Sequence, residues 1–192
     1  MANVIRHMSV LPIGVSVNHL TARADDRGSL VEMHRDSWPD SPPLPQFNLV
    51  RSAPGVLRGV HLHFHHADVV STAAGVAIVG LHDCRPESET FGLGAAVRIA
   101  EADVRVIIPV GVAHGFWMPN GATLIYGLDT EWTPADELGC SWDDVSLGIP
   151  WGQFGDPHPA DRPGGPLLSL RDSCAGSLGS MITEFSKHSI KA

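Results

Sequence analysis

The hydrophobic pattern in the middle of the chain predicts short β-strands. Apolar runs rich in Val, Ile, Leu and Ala are punctuated by Gly, Pro and Asp. The predicted strands cover residues 75–84, 95–100, 104–110 and 122–129. Short strands at this spacing are typical of an all-β sandwich or barrel.

Turn residues separate these strands and then take over near the C-terminal end. Residues 85–88 (Arg-Pro-Glu-Ser) and 119–121 (Pro-Asn-Gly) predict loops, because Pro fixes φ and Asn-Gly tolerates positive φ. Residues 150–166 are crowded with Pro, Gly and Asp, which predicts a long arm lying over the barrel. Beyond Leu167 we expect a short helix, followed by a frayed polar tail from Lys187.

The length of 192 residues favours one well-buried domain over two. We therefore predict a single domain over residues 1–192. Its barrel core would cover roughly residues 45–150, with extended strands before it and an arm at residues 151–192.

Charge and hydropathy exclude two classes of partner. The formal net charge is −8, and the few basic residues are scattered, which argues against nucleic-acid binding. The longest apolar stretch, residues 69–81, is too short to cross a bilayer. The apolar run at the N-terminus is broken by Pro12 and Gly14 and is not followed by a convincing leader-cleavage site. We expect neither a nucleic-acid nor a membrane partner.

The cysteines indicate a reducing compartment. Cys84, Cys140 and Cys174 are odd in number and show no C-x-x-C spacing, which fits free thiols better than a disulfide framework. The sequence therefore predicts a cytoplasmic protein.

Four residues form a candidate metal-ligand set. His61 and His63 are two apart, so an extended strand turns both to the same side. Asp68 follows with a carboxylate, and His114 opens an apolar strand further on. Imidazole and carboxylate ligands suit Fe(II), Mn, Ni, Co or Zn, so the pattern predicts a possible divalent metal and no nucleotide cofactor.

The spacing of these residues resembles the two signatures of cupins. It reads Gly55-x5-His61-x-His63-x4-Asp68-x6-Gly75, followed by Pro-x-Gly-x2-His at residues 109–114, with Asp68 where Glu is usual. The resemblance implies a double-stranded β-helix of the jelly-roll kind, with both signatures on facing strands around one cavity.

Further segments resemble the dTDP-4-dehydrorhamnose 3,5-epimerase family. The matching segments are Asp26-Arg27-Gly28, Gln46-Phe47-Asn48, residues 56–61 (VLRGVH), residues 86–92, residues 109–116 and residues 142–149. The resemblance implies a homodimeric isomerase that inverts carbons of a nucleotide-linked 4-keto-6-deoxy sugar through an enolate.

The resemblance also implies roles for individual residues. His61 would be the base, Asp161 would hydrogen-bond it, and His114 would aid the oxyanion. Residues implied to bind substrate are Arg27 and Arg58 at the diphosphate, Gln46 and Asn48 at the sugar, and Tyr126 and Trp132 in the cavity.

Two departures from the family pattern leave two mechanisms open. Asp68 occupies the strand where the family carries a lysine, and Trp132 replaces the tyrosine that returns the proton. In one mechanism His61 and Asp161 act without metal, while His63 and Asp68 only line the cavity. In the other, His61, His63, Asp68 and His114 hold a metal that serves as the Lewis acid.

Other readings of the same residues remain open. One is a metal-dependent oxygenase, lyase or cyclase acting on a non-nucleotide substrate, and another is a sugar-binding cupin without catalysis. We expect His65 and His66 to be solvated loop residues. The acidic residues between Asp129 and Asp144 are expected to form a solvated rim.

Overall fold

The computed structural model of the protein describes residues 10–189, and most of its regular structure is β-strand. The strands are β1 Ser16–His19, β2 Ala22–Asp25, β3 Gly28–Val31, β4 Gln46–Ser52, β5 Val56–His63, β6 Asp68–Asp83, β7 Gly94–Ala100, β8 Val104–Ile108, β9 Val112–Met118, β10 Ala122–Leu128 and β11 Glu137–Gly139. Two helices follow, α1 Leu170–Ser173 and α2 Leu178–Ser189. Across residues 10–189, no helix has the length and apolar character needed to cross a membrane.

The long strand β6 joins two antiparallel sheets. Its first half pairs with β8 and β10, and its second half pairs with β7 and β9. Beyond these, β1 extends from β8, β4 from β10, and β5 followed by β11 from β9. Strands β2 and β3 form a separate hairpin. The all-β prediction is confirmed.

Strand β6 passes from one sheet to the other at a glycine. Gly75 has φ of +78°, and a Cβ atom at this position would lie 2.5 Å from the carbonyl oxygen of Gly121. A side chain would therefore meet both backbone strain and a clash, so glycine is required where the strand changes sheets.

Two apolar clusters lie on opposite faces of the second half of β6. Ala77 and Val79 belong to one cluster, whereas Ile78 belongs to the other, as the alternation of side chains on a strand requires. The cluster containing Ile78 also includes Leu178 and Phe185 of α2. One apolar core is therefore within the barrel and the second is covered by the C-terminal helix.

The C-terminal region has more helix than the sequence predicted. Residues 150–166 contain only a short 3₁₀ helix, as expected for an arm. Helix α2 has 12 residues and buries Leu178, Met181 and Phe185, which lie on one helical face. It continues through Ser189, past the start of the predicted tail, and residues 190–192 lie outside the described residues.

A buried carboxylate beside the barrel should make stability depend on pH. Asp83 accepts hydrogen bonds from Arg85, Ser88 and Thr90 at 2.6–2.8 Å. Burial alone would raise the pKa of Asp83, but these hydrogen bonds outweigh it and hold the pKa below its usual range. We expect Asp83→Asn to lower the free energy of unfolding by about 2–4 kcal/mol at pH 7.

A lowered pKa in the folded state means that this stabilisation is complete above the unfolded pKa and disappears as pH falls through the folded value. The deficit should therefore shrink below roughly pH 4 in urea unfolding experiments. The exposed pair of Asp25 with Arg27 supplies the control, since Asp25→Asn should change stability little. An Asp83→Asn deficit that stays constant in acid would contradict this assignment.

Candidate active site

A cavity of about 560 Å³ opens at one end of the barrel. Strands of both sheets and helix α1 contribute to its wall. The lining residues are Gln46, Asn48, Val50, Arg58, His61, His63, His66, Asp68, His114, Phe116, Leu124, Tyr126, Leu128, Trp132, Glu137, Ser169, Arg171 and Asp172. The opening carries exposed groups such as Trp132, whereas His63, His66, Asp68 and His114 are buried. We call these four buried residues the histidine cluster.

Strand β5 directs both predicted histidines into the cavity. His61 and His63 are two apart and both line it, as the alternation rule predicted. His61 lies opposite His114 of β9, and the register is irregular between Arg58 and His61. Gly59, with φ of +100°, allows this close approach, because a Cβ atom there would lie 2.8 Å from the carbonyl oxygen of His114.

His61 lies between two carboxylates. Its Nε2 is 2.7 Å from Oδ1 of Asp172, and its Nδ1 is 3.2 Å from Oε1 of Glu137. Arg171 lies over the group, with Nη1 2.6 Å from Oε1 of Glu137 and Nη2 2.8 Å from His61 Nε2. Both carboxylates are placed to stabilise the imidazolium that forms if His61 accepts a proton.

The Asp172 carboxylate is favoured in its charged form. Burial alone would raise the pKa of Asp172, but hydrogen bonds from His61 and Ser169 outweigh burial and lower it below the usual value. Ser169 is the N-cap of α1, and its side chain accepts a hydrogen bond from the Asp172 backbone N–H. The first turn of this short helix therefore fixes the carboxylate that faces His61.

The prediction that Asp161 pairs with His61 is wrong. Asp161 is exposed in the 3₁₀ helix Pro159–Asp161, where its Oδ2 accepts a hydrogen bond from the backbone N–H of His158 at 3.0 Å. It is not among the residues that line the cavity. Asp172, eleven residues later, takes the place beside His61.

The histidine cluster converges on one carboxylate oxygen. Oδ2 of Asp68 is 3.6 Å from Nε2 of His63, 3.8 Å from Nε2 of His66 and 3.4 Å from Nε2 of His114. The rings of His63 and His66 stack, with centroids 3.9 Å apart. Three imidazole nitrogens therefore surround one acidic oxygen at distances longer than ordinary hydrogen bonds.

Burial disfavours charge on three residues of this cluster, Asp68, His63 and His114. It raises the pKa of Asp68 well above its usual value, and nearby Glu137, Asp129 and Asp136 act in the same direction. Burial also lowers the pKa of His63 and lowers that of His114 to about 3. His63 and His114 are therefore neutral at physiological pH.

The sequence profile of the dTDP-4-dehydrorhamnose 3,5-epimerase family matches residues 12–179. The chain belongs to this family. The spore coat polysaccharide biosynthesis protein SpsL of Bacillus subtilis is 33% identical over 143 residues, which are 72% of this chain and 95% of that protein. A dTDP-4-dehydro-6-deoxyglucose 3-epimerase of a Streptomyces species is 31% identical over 152 residues, covering 77% of this chain and 73% of its own.

The fold of this family member agrees with solved epimerase structures. The crystal structure of the 3,5-epimerase RmlC from Legionella pneumophila, in complex with dTDP-4-keto-L-rhamnose, superimposes with a TM-score of 0.79 at 26% identity. The match covers 93% of this chain and 97% of that chain. The predicted cupin jelly roll and the predicted epimerase family are both confirmed. In the names of the two epimerases, the dTDP nucleotide is attached to the sugar and so belongs to the substrate.

The structure brings together three of the four residues of the predicted metal set and engages the fourth, His61, elsewhere. His61, His63, Asp68 and His114 all line the cavity, but His61 is engaged by Asp172 and Glu137. His66, predicted to be solvated, is only 1% exposed and lies beside Asp68. Strand β5 ends at His63, so the alternation that turned His66 away does not apply in the following loop.

Most of the predicted substrate-binding residues of the epimerase family lie in the cavity. Gln46, Asn48, Arg58, Tyr126 and Trp132 line it, and these placements put polar and aromatic groups around the opening. Arg58 donates a hydrogen bond to Ser52 at 3.0 Å.

Arg27 is the exception among the predicted substrate-binding residues. It lies in the exposed turn between β2 and β3 and pairs with Asp25 at 2.5 Å. It does not line the cavity of its own chain.

Sequence reasoning missed several cavity residues. Asp136 and Glu137 were placed on a solvated rim, but Asp136 is 4% exposed and bonds to His66, and Glu137 pairs with His61. Arg171 and Asp172 received no predicted role. The Ser169-x-x-Asp172 spacing does signal a helix start. It carries no information that this helix contacts a histidine 111 residues earlier.

Proposed function

We propose that this protein is an epimerase of a nucleotide-linked 4-keto-6-deoxy sugar, built as a single cupin domain, that works through an enolate. The observation that carries the proposal is the pairing of His61 with Asp172 at the wall of the cavity, 2.7 Å apart. Family membership supplies the substrate class. The cavity of about 560 Å³ is in the range of small-molecule sites.

The proposed chemistry begins with proton removal by His61. A ketone at C4 makes the protons on C3 and C5 acidic, and the neutral imidazole of His61 can accept one of them at Nδ1, since its Nε2–H is donated to Asp172. Asp172 and Glu137 then stabilise the imidazolium. A positioned base of this kind contributes about 10²–10⁴ in rate.

Inversion also needs a proton from the opposite face of the sugar. The indole N–H of Trp132 donates to Glu137 at 2.9 Å and is not an acid at ordinary pH. Tyr126 is the chain's one tyrosine, and it lines the cavity. Burial raises the pKa of Tyr126, so its hydroxyl stays protonated. We take Tyr126 as the candidate donor.

Arg58 is proposed to bind the diphosphate. Arg58 lines the cavity, and a bidentate cation suits phosphate oxygens. We expect Arg58→Glu to weaken binding of dTDP by about tenfold or more, because one attraction becomes a repulsion. Isothermal titration calorimetry measures this change. Arg98 is exposed on β7 and does not line the cavity, so Arg98→Glu gives the matched control. Equal losses in both variants would contradict a specific role for Arg58.

A homodimer is part of the proposal. Strand β4 pairs only with β10 among the described strands, and its outward residues Phe47 and Leu49 are 56% and 51% exposed. An unpaired edge with exposed apolar side chains favours association with a second chain. Light scattering coupled to size-exclusion chromatography should give twice the chain mass.

The free thiols of Cys84 and Cys140 support the predicted cytoplasmic location.

Binding of a divalent ion, predicted from the sequence, also remains a proposal. Its ligands would come from the histidine cluster and would not include His61. Neither the base nor the candidate donor named above depends on it.

Product analysis tests the proposed reaction. The protein is incubated with dTDP-4-dehydro-6-deoxyglucose, and proton NMR follows the configuration at C3 and C5. Inversion at either carbon supports the proposal. Binding without any change in configuration favours a sugar-binding cupin, and turnover of a non-nucleotide substrate that requires Fe(II) and oxygen favours a metal-dependent cupin. Either of these results overturns the epimerase proposal.

A further inference from the structure

We propose that His63, His66 and Asp68 form a binding site for one divalent transition-metal ion at the closed end of the cavity. All three residues are buried, and one ligand atom from each lies within 4.8 Å of the others. The proposal goes beyond the proposed epimerase function, because none of the three residues is the base His61 or its partner Asp172.

The distances in this trio fit a shared ion better than direct contacts. Oδ2 of Asp68 is 3.6 Å from Nε2 of His63 and 3.8 Å from Nε2 of His66, beyond the usual hydrogen-bond length. Ligand atoms that each bind one tetrahedral ion at about 2.0–2.1 Å lie about 3.3 Å from one another. An ion between the three atoms therefore requires them to move closer together from positions that lie within 4.8 Å of one another.

Asp68 lacks a compensating partner at this oxygen. Its Oδ2 is buried and has no hydrogen-bond partner within residues 10–189, although the residue is only 4% exposed. A buried carboxylate oxygen without a hydrogen bond or a cation is costly. This orphaned oxygen is therefore a position where a cation or a proton would be bound.

The surrounding hydrogen bonds leave imidazole lone pairs directed at this oxygen. Nδ1 of His66 is 2.5 Å from Oδ2 of Asp136, whose other oxygen accepts the backbone N–H of Phe64 at 2.9 Å. With Nδ1–H donated to Asp136, the Nε2 of His66 carries a lone pair. A carboxylate behind a histidine in this way is the common arrangement for metal-bound histidines.

His114, which also lies beside Asp68, carries its proton on Nδ1 as His66 does. Its Nδ1 is 3.2 Å from the carbonyl oxygen of Val112, so this nitrogen donates and Nε2 carries the lone pair. That Nε2 is 3.4 Å from Oδ2 of Asp68. Lone pairs directed at an acidic oxygen repel it unless a cation or a proton lies between them.

The ligand types limit the choice of ion. Two imidazoles and one carboxylate suit Zn²⁺, Fe²⁺, Co²⁺ or Ni²⁺, whereas Ca²⁺ and Mg²⁺ prefer oxygen ligands. Because all three residues line the cavity, the remaining coordination positions face the space where a substrate would bind. The site also leaves His61 available as a base, since His61 is not one of the three ligands.

Titration with a spectroscopic metal tests the site. The full chain is stripped with a chelator, dialysed, and titrated with Co²⁺ alone while visible absorption is followed, and Zn²⁺ is then added in competition. We expect one Co²⁺ per chain, with absorption bands of a low-coordinate N/O site. His66→Gln and Asp68→Asn, which keep side-chain volume, should each weaken binding at least about 100-fold.

Two further variants separate this site from its alternatives. His65→Gln changes an exposed neighbour and should leave Co²⁺ affinity unchanged. Asp136→Asn removes only the group behind His66 and should weaken binding by about 10–100-fold. Absence of Co²⁺ and Zn²⁺ binding in the folded protein overturns the proposal, as does binding that persists in His66→Gln. Circular dichroism confirms folding of each variant. Loss of metal binding leaves the epimerase test unaffected, and an inactive epimerase leaves this titration valid.

Discussion

The variant His61→Ala is expected to lose epimerisation almost completely, with kcat lowered by about 10³-fold. His61 is the imidazole that lines the cavity with a carboxylate on each ring nitrogen, so its removal leaves no positioned base. Steady-state assays with dTDP-4-dehydro-6-deoxyglucose, followed by NMR, measure the change. KM should change much less than kcat, because the loss lies in the transition state.

The control for this variant lies four residues away. His65 is exposed and does not line the cavity, so His65→Ala should retain wild-type kcat. If His61→Ala keeps most of its activity while remaining folded, another group is the base and the proposed mechanism is wrong.

The variant Asp172→Asn is expected to lower kcat by about 10²-fold or more. The amide keeps nearly the same shape but cannot stabilise the imidazolium at 2.7 Å. Asp161→Asn is the matched control, since Asp161 is exposed and only caps its own 3₁₀ helix. Its activity should equal that of the wild type.

This pair of variants decides between Asp161, which the family resemblance implied, and Asp172, which lies beside His61 in the structure. A large loss in Asp161→Asn together with normal activity in Asp172→Asn would contradict the structural assignment. Thermal unfolding of both variants guards against a simple loss of folding. Partial activity in Asp172→Glu, above that of Asp172→Asn, would show that the negative charge of residue 172 and its position both matter.

The fold could be predicted because its signals are local. Alternation of apolar residues, together with Gly, Pro and Asn at the turns, located β7, β8 and β10 to within two residues. Strand β6 begins at Asp68 and not at the predicted Gly75. The spacing of His61, His63 and Asp68 within and just after one strand also placed all three in one cavity. Side chains alternate between the two faces of a strand, so the face on which a residue lies can be predicted without any knowledge of distant residues.

The remaining part of the site depends on long-range packing. Asp172 reaches His61 because the C-terminal arm crosses back over the barrel before α1 begins, and Leu167 pairs with Val56 of β5. No local pattern encodes that path, and the family resemblance pointed to Asp161 instead. His66 was also misplaced, because the strand ends before it and the loop turns it inward toward Asp136.

The structure also separates two roles that the sequence had assigned to one residue. His61 was predicted as the base in one mechanism and as a metal ligand in the other, because one nitrogen cannot perform both tasks. In the folded chain His61 faces Asp172, while His66 joins His63 and Asp68. The base and the proposed metal site are therefore distinct groups in one cavity.

Deuterium exchange tests the central claim most directly, because proton removal next to the ketone is the step assigned to His61. The wild-type protein and His61→Ala are each incubated with dTDP-4-dehydro-6-deoxyglucose in D₂O, and mass spectrometry with NMR locates the label. We predict deuterium at C3, C5 or both with the wild type, and only background labelling with His61→Ala. Inversion without incorporation of deuterium, or undiminished labelling in the variant, would contradict the account.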